Sequence, residues 1–273
     1  MCYHRAARVP LLLLLPSPHT SPSLPPHLQR PAKIDALAAA GVTHLNVSLD
    51  TLRADRFAEI TRRPGAMSRK VLEAATYAAA SGQFEKVKLN VVVMRGVNDD
   101  ELADFAALAR AGNNLDVRFI EWMPFDANAW NNEQMLPAAE LVERLAAAGV
   151  PLARGTDGPN DTTMWWRHAD DDGAKNFGRV GIIASMTTPF CGTCSRLRLL
   201  ADGQLKTCLF SRDDQGEAEA PSLRDAMRGG ASDADLAVLI GTAVGHKHAA
   251  YGGHASPAAI SDSSNRPMVH IGG

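Results

Sequence analysis

The sequence predicts an α/β fold, a partial (β/α) barrel or half-barrel of parallel units, and three observations carry that prediction. Four segments end in a small residue followed by glycine: Ala40-Gly41, Ser81-Gly82, Ala111-Gly112 and Ala148-Gly149. Glycine just past a helix supplies the left-handed cap that stops it. After each of the first three comes a strand-like run, over 44–50, 87–94 and 117–123. Helix then strand, repeated roughly every 30 to 40 residues, is the signature of parallel βα units with right-handed crossovers. Three such strands are too few to close an eight-stranded barrel.

The chain opens with a stretch unlike the rest. Residues 1–33 read as a disordered or aberrant leader: the first acidic residue is Asp35, and seven of the sixteen prolines fall between Pro10 and Pro31. The apolar run Leu11–Leu15 falls short of the roughly 7–15 residues a signal peptide needs. The prolines also interrupt any amphipathic transit helix.

Residues 34–149 carry the barrel units. Leu102, Phe105 and Leu108 recur at helical spacing, as do Leu141, Val142 and Leu145 behind Pro137. Alternation puts Asn46, Ser48 and Asp50 on one face of the first strand, opposite Leu45, Val47 and Leu49. Lys88 and Asn90 share a face on the second, and Glu121 and Met123 on the third. Barrel interiors are normally filled by branched apolar side chains, so polar residues near strand carboxyl ends point to a ligand pocket. Taken singly, Lys88 reads as the guard of a sheet edge and Ser48 as a satisfied core hydroxyl. Together on three strands they favour the pocket.

Residues 150–273 form a second portion. The stretch 150–180 is rich in Asp, Gly and Asn, with Trp165, Trp166 and Arg167 as an isolated island. Strand-like runs follow at 180–185, 195–201 and 204–210, and Asp202-Gly203 is a hairpin signal. One helical segment over 223–244 leads into a polar tail ending Ile271-Gly272-Gly273.

The formal net charge of −2 gives no global preference for nucleic acid or an anionic membrane. No apolar run approaches the roughly 20 residues of a spanning helix. Four cysteines, three of them clustered as Cys191-x₂-Cys194-x₁₃-Cys208, do not form a disulfide framework, because pairing would strand one of the three. Coordination of a metal tolerates an odd number and implies a reducing, cytoplasm-like compartment, with organelle targeting by the leader left open.

The Cys-x₂-Cys pair delivers two thiolates from one turn, and Cys208 returns along the far arm of the hairpin. Zinc in a structural site takes four ligands, and a fourth would have to be His168 or a histidine near the tail. Iron–sulfur clusters also usually take four cysteines, so three fit a cluster with one iron open to a substrate atom. Spacing leaves zinc and iron–sulfur equally open. Cys194, Arg196 and Arg198 alternate and share a strand face, where two guanidiniums fork phosphate oxygens. The plainer alternative is two solvated arginines on an exposed strand.

Several motifs now occur in a family's order: Asn46-Val47-Ser48-Leu49-Asp50, Lys88-Leu89-Asn90-Val91-Val92, Gly96-Val97-Asn98-Asp99-Asp100 and Arg118-Phe119-Ile120-Glu121-Trp122-Met123. Phe190-Cys191-Gly192-Thr193-Cys194-Ser195-Arg196-Leu197-Arg198 and the terminal Gly-Gly complete them. From about Ile34 to Gly273 the chain resembles the GTP 3′,8-cyclases, radical S-adenosylmethionine (radical SAM) enzymes of molybdenum cofactor biosynthesis. The resemblance implies a partial (β/α)₆ barrel of the radical SAM type. It also implies a lyase that converts GTP to (8S)-3′,8-cyclo-7,8-dihydroguanosine 5′-triphosphate.

By the same resemblance, Cys191, Cys194 and Cys208 hold a C-terminal [4Fe–4S] cluster whose open iron contacts the guanine. Lys88, Arg196, Leu197 and Arg198 bind GTP, and Ser48 and Met123 touch S-adenosylmethionine. The Gly272-Gly273 tail reaches the active site. The implied partners are GTP and a second copy in a homodimer.

The family's first cluster, which reductively cleaves S-adenosylmethionine, sits on a Cys-x₃-Cys-x₂-Cys loop. That motif does not occur here, since Cys2 is the one remaining cysteine. The sequence therefore reads as N-terminally truncated, lacking roughly the first three βα units and inactive alone. The competing readings are a non-catalytic iron–sulfur or zinc module that binds a nucleotide, and a zinc-stabilised structural domain.

Overall fold

The computed structural model describes residues 31–111, 114–126, 128–158, 160–171, 177–211, 220–263 and 267. Residues 1–30, Cys2 among them, and the Gly-Gly tail lie outside them, whereas residues 31–33 of the expected leader are the first turn of a helix, so its boundary at 33 does not hold.

The parallel units form where the glycine stops and alternating runs place them. They are α1 (Pro31–Ala39), β1 (His44–Ser48), α2 (Ala54–Thr61), α3 (Met67–Ala80), β2 (Lys86–Val93), α4 (Leu102–Ala109), β3 (Leu115–Glu121) and α5 (Ala138–Ala147). Gly41, Gly82 and Gly149 all take positive φ just past their helices. α3 buries Val71, Ala74, Ala75, Ala78 and Ala79, a stripe at helical spacing whose small side chains let the helix lie close to the sheet.

β1, β2 and β3 pair in parallel, with Asn46 beside Lys88 and Asn90 beside Arg118. The odd-numbered residues Leu45, Val47, Val87, Leu89, Val91, Val117 and Phe119 are buried against the helices in the main core. The even-numbered ones turn to the opposite face, because strand neighbours alternate and register partners share a side.

Beyond α5 the chain adds β4 (Leu152–Arg154), β5 (Met164–His168) and β6 (Val180–Ile183). β6 pairs in parallel with β3, while β5 and β4 continue outward antiparallel, giving one sheet of order β1-β2-β3-β6-β5-β4. The Trp165-Trp166-Arg167 island is thus a sheet strand. Trp166 joins the main core, and Trp165 receives the Arg179 guanidinium over its ring at 3.9 Å.

A short hairpin, β7 (Arg198–Leu199) and β8 (Leu205–Lys206), follows a 3₁₀ turn over Cys191–Thr193. The expected strands over 195–201 and 204–210 shrink to these two pairs. The expected single helix over 223–244 is two, α6 (Leu223–Arg228) and α7 (Asp233–Gly245). Gly230 at φ +87° ends the first, and a capping box on Ser232 and Asp235 starts the second. A 3₁₀ turn over Tyr251–Gly253 and α8 (Pro257–Ser261) close the described chain.

Candidate metal and anion site

The Asp202-Gly203 turn sets the hairpin. Gln204 N donates to Asp202 Oδ1 at 3.0 Å, and Gly203 takes φ +84°, with Arg224 Cβ lying 2.2 Å from where a side chain would start. The turn carries the chain back so that Cys208 returns towards Cys191 and Cys194. All three cysteines carry free thiols and are partly buried. They line one cavity of about 220 Å³ together with Met123, Arg196, Leu197, Arg198 and Lys206. The cavity reaches the sheet at Ile120 and Ile183, on the even-numbered face at the carboxyl end of parallel strands. Open α/β sheets bind ligands outside such ends.

Burial pushes the Cys208 thiol up, and the neighbouring Cys191 and Cys194 add to that, while the Phe210 N–H and Lys247 oppose it. The three sulfurs are therefore electrostatic neighbours. Among the described residues no three His, Cys, Asp or Glu side chains are grouped to hold a metal ion as they stand. The donor set itself, three thiols converging on a cavity flanked by arginines, suits a soft metal centre.

Arg196 and Arg198 both reach the cavity, but not by strand alternation. Residues 195–197 are irregular, and Leu197 between them also lines it. Arg196 packs over Phe190 at 5.5 Å and donates to the Asn160 carbonyl at 3.4 Å. Burial lowers the Arg198 pKa, as does Arg196, while Cys208 and Cys194 act in the opposite sense.

Lys88 is not an edge guard: β2 lies between β1 and β3. Burial holds its pKa down, and Arg118 reinforces this against Asp116 and Asp161. Ser48 is exposed at the end of β1, outside the residues that line the cavity. Asp50, on its face, has its carboxyl raised to about 6 by burial, although Val92 N donates to it at 2.8 Å.

The third strand differs from expectation. Glu121 faces the helix side and is fully buried. It accepts from Ala138 N at 2.8 Å, Met186 N at 2.7 Å, Thr187 N at 2.9 Å and the Thr187 hydroxyl. It is a structural tie between α5 and the segment leading to Cys191.

Arg118 takes the pocket face instead, and the sequence reading passed over it. Its guanidinium donates to two neutral amides, Asn90 Oδ1 at 2.9 Å and Asn46 Oδ1 at 3.0 Å. Burial lowers its pKa to about 10. Its hydrogen-bond partners are neutral, while Asp116 and Asp161 act on its charge against the effect of burial. Neither Arg118 nor Lys88 is among the residues that line the cysteine cavity. The alternation of Val117 and Phe119 as core residues was the available signal.

His168 is no fourth ligand: it is buried in β5 against Phe177, at 6.2 Å between ring centres, and does not line the cavity. His254 pairs its Nε2 with the Phe210 carbonyl at 3.0 Å.

A mostly parallel sheet with a thiol-lined cavity at the carboxyl ends of its parallel strands defines an α/β protein with a candidate ligand site, and comparison makes the class specific. Residues 4–109 match the family described as Radical SAM superfamily, a match that begins within the stretch set apart above as a leader. Residues 115–252, half of the chain, match the family described as Molybdenum Cofactor Synthesis C. The chain belongs to that family.

It is 43% identical over 247 residues to the GTP 3′,8-cyclase, mitochondrial, of Arabidopsis thaliana, covering 88% of this chain and 57% of the relative. It is 43% identical over 235 residues to molybdenum cofactor biosynthesis protein 1 of Homo sapiens, covering 86% and 34%. The GTP 3′,8-cyclase of Rhodopirellula baltica is 40% identical over 218 residues, covering 79% and 57%. The chain thus spans between about a third and three-fifths of these relatives' lengths.

Proposed function

We propose that this chain serves the GTP 3′,8-cyclase reaction of molybdenum cofactor biosynthesis and supplies its substrate-side pocket. One observation carries the reading: three free thiols and two arginines line a single cavity at the carboxyl ends of a parallel sheet. The sheet is then part of a (β/α) barrel of the radical SAM type over 34–149, and 150–273 is the cluster and GTP region. Residues 31–33, assigned to the leader by composition, open α1 and so belong with the barrel portion.

In this reading Cys191, Cys194 and Cys208 hold a [4Fe–4S] cluster whose fourth iron stays open to the guanine. The cluster, when bound, supplies a Lewis-acidic iron that orients the base. The chain's own residues do the rest. Arg196, Leu197 and Arg198 wrap the nucleotide, and Lys88 and Arg118 offer charge to phosphate oxygens from the sheet face. Met123 lines the same cavity and, with Ser48 at the strand end, faces S-adenosylmethionine. GTP is the small-molecule partner and a second copy the protein partner.

No helix among the described residues is long and apolar enough to cross a membrane. A mitochondrial relative supports an organelle as readily as the cytoplasm.

The cysteine count favours a second reading for this polypeptide on its own. Besides the triad it has Cys2, whereas reductive cleavage of S-adenosylmethionine in this family uses a three-cysteine loop. Alone, it is a nucleotide-binding cluster module without turnover.

Anaerobic reconstitution with iron and sulfide, followed by metal analysis, a GTP titration and an assay for the cyclised product, tests both readings. Iron uptake and GTP binding without product are expected. Arg196→Ala should weaken binding by about 1.5–3 kcal/mol. Stoichiometric zinc with no iron defeats the cluster, and measurable product defeats the module reading.

A further inference from the structure

The segment after α7 lies as a strap across the cysteine hairpin. Lys247 Nζ donates to the Thr207 carbonyl at 2.5 Å and the Arg196 carbonyl at 3.0 Å, and it lies 4.0 Å from Cys194 Sγ. Thr207 directly precedes Cys208, and Arg196 stands two residues beyond Cys194. One ammonium therefore joins both arms that carry these thiols.

Four residues on, the Tyr251 hydroxyl donates to the Met186 carbonyl at 2.8 Å, on the segment leading to Cys191. His254 pairs with the Phe210 carbonyl, just past Cys208. Gly252, at φ +65°, lies so close that a Cβ would stand 2.8 Å from the Phe210 carbonyl carbon. An ammonium has three donors and a flexible stem, and ordering that stem costs side-chain entropy. Here the donors converge on carbonyls beside two thiols.

We propose that Lys247 is a positioning residue for the metal centre, stapling the Cys194 and Cys208 arms at their working separation and setting a cation beside their sulfurs. The inference rests on the cluster reading above. A cation at this range favours the reduced, more negative state of whatever the thiolates hold.

The staple is read first in metal-free full-length chain. A bifunctional thiol reagent bridges Cys194 to Cys208, and the product is mapped by mass spectrometry. Bridging should fall severalfold in Lys247→Met and stay near wild type in Lys247→Arg. Should Lys247→Met lose its circular dichroism, Lys247→Ala, which likewise has no donor, takes its place. Equal bridging in wild type and the neutral variant overturns the staple.

The charge is read after anaerobic reconstitution. Lys247→Gln keeps N–H donors without the charge, so it should retain iron. Its reduced-to-oxidised ratio at fixed potential should fall about tenfold, or about 59 mV for one electron, with Lys247→Arg restoring it. An unchanged potential overturns the electrostatic role. A wild-type chain that takes up no iron overturns the cluster reading and that role with it, while bridging still decides the staple.

Discussion

Glu101, Asp116 and Glu121 are fully buried in the parallel sheet and its loops, and each is met by donors. Glu101 takes the Thr51 hydroxyl at 2.6 Å and Leu52 N at 2.7 Å. Asp116 takes Arg179 N at 2.8 Å and its guanidinium at 2.9 Å. Around the hairpin the polarity is arranged differently: three half-buried thiols and two arginines surround a space. Leu199, Met227 and Val238, all more than 60% exposed, stand in that same half. The first region is held by internal pairing, because an unpaired buried carboxylate would be prohibitive. The second keeps its polar groups directed at a cavity, which is what a binding region requires.

The largest effect expected is at the joint between the two. Glu121→Ala leaves the N–H groups of Ala138, Met186 and Thr187 without their acceptor, at about 1–3 kcal/mol each before water intervenes. Urea unfolding should show a loss of about 4 kcal/mol. A loss below about 1 kcal/mol would mean the regions are not tied through this carboxylate.

Gly203→Ala should come next, at about 2 kcal/mol, since alanine at φ +84° is strained and its Cβ meets Arg224. Hydrogen exchange should quicken in β7 and β8 and stay unchanged in β1–β3. Uniform quickening would show one cooperative unit instead of two regions.

The parallel half was largely legible because it obeys period rules: glycine stops and alternating runs mark α1, β1, α3, β2, α4 and β3 within a few residues, whereas α2, which ends at Arg62 without a glycine, was passed over. The reading of Glu121 failed for a simple physical reason. Alternation gives two faces but not which one is wet, and the pocket was assigned to the wrong parity at β3. Val117 and Phe119 as core residues fix that parity and put Arg118 on the face of Asn46 and Asn90. In the other half the Cys191, Cys194 and Cys208 spacing and the Asp202-Gly203 turn were visible, since each is a local pattern. Lys247 was not, because its role arises from contacts 40 to 53 residues distant.

Asp50 offers a smaller test of how the first region treats a charge. Its carboxyl is raised to about 6 by burial, so between the ordinary carboxylate value and about 6 the folded chain holds a proton that the unfolded chain releases. Stability from this group is fully present below about pH 4 and falls as pH rises through 6. With the side chain only partly shielded from water, the drop should be about 1 kcal/mol. Asp50→Asn should flatten that part of the stability–pH curve. A wild-type curve already flat from pH 4 to 7 would remove the buried-carboxyl assignment.

The smallest change in stability should accompany the largest change in composition. Cys194 is a partly buried thiol at the rim of the cavity, and alanine in its place deletes one sulfur without opening a core void. Cys194→Ala should therefore shift the unfolding free energy of the metal-free chain by about 0.5 kcal/mol or less. Iron bound after anaerobic reconstitution should nevertheless collapse, because two thiolates from different segments do not hold a cluster that needs three. If Cys194 were instead a packing residue, the signs would reverse, with stability falling by more than about 2 kcal/mol and iron content unmoved. The two measurements on one variant thus separate a side chain that completes the fold from one that the fold exists to present.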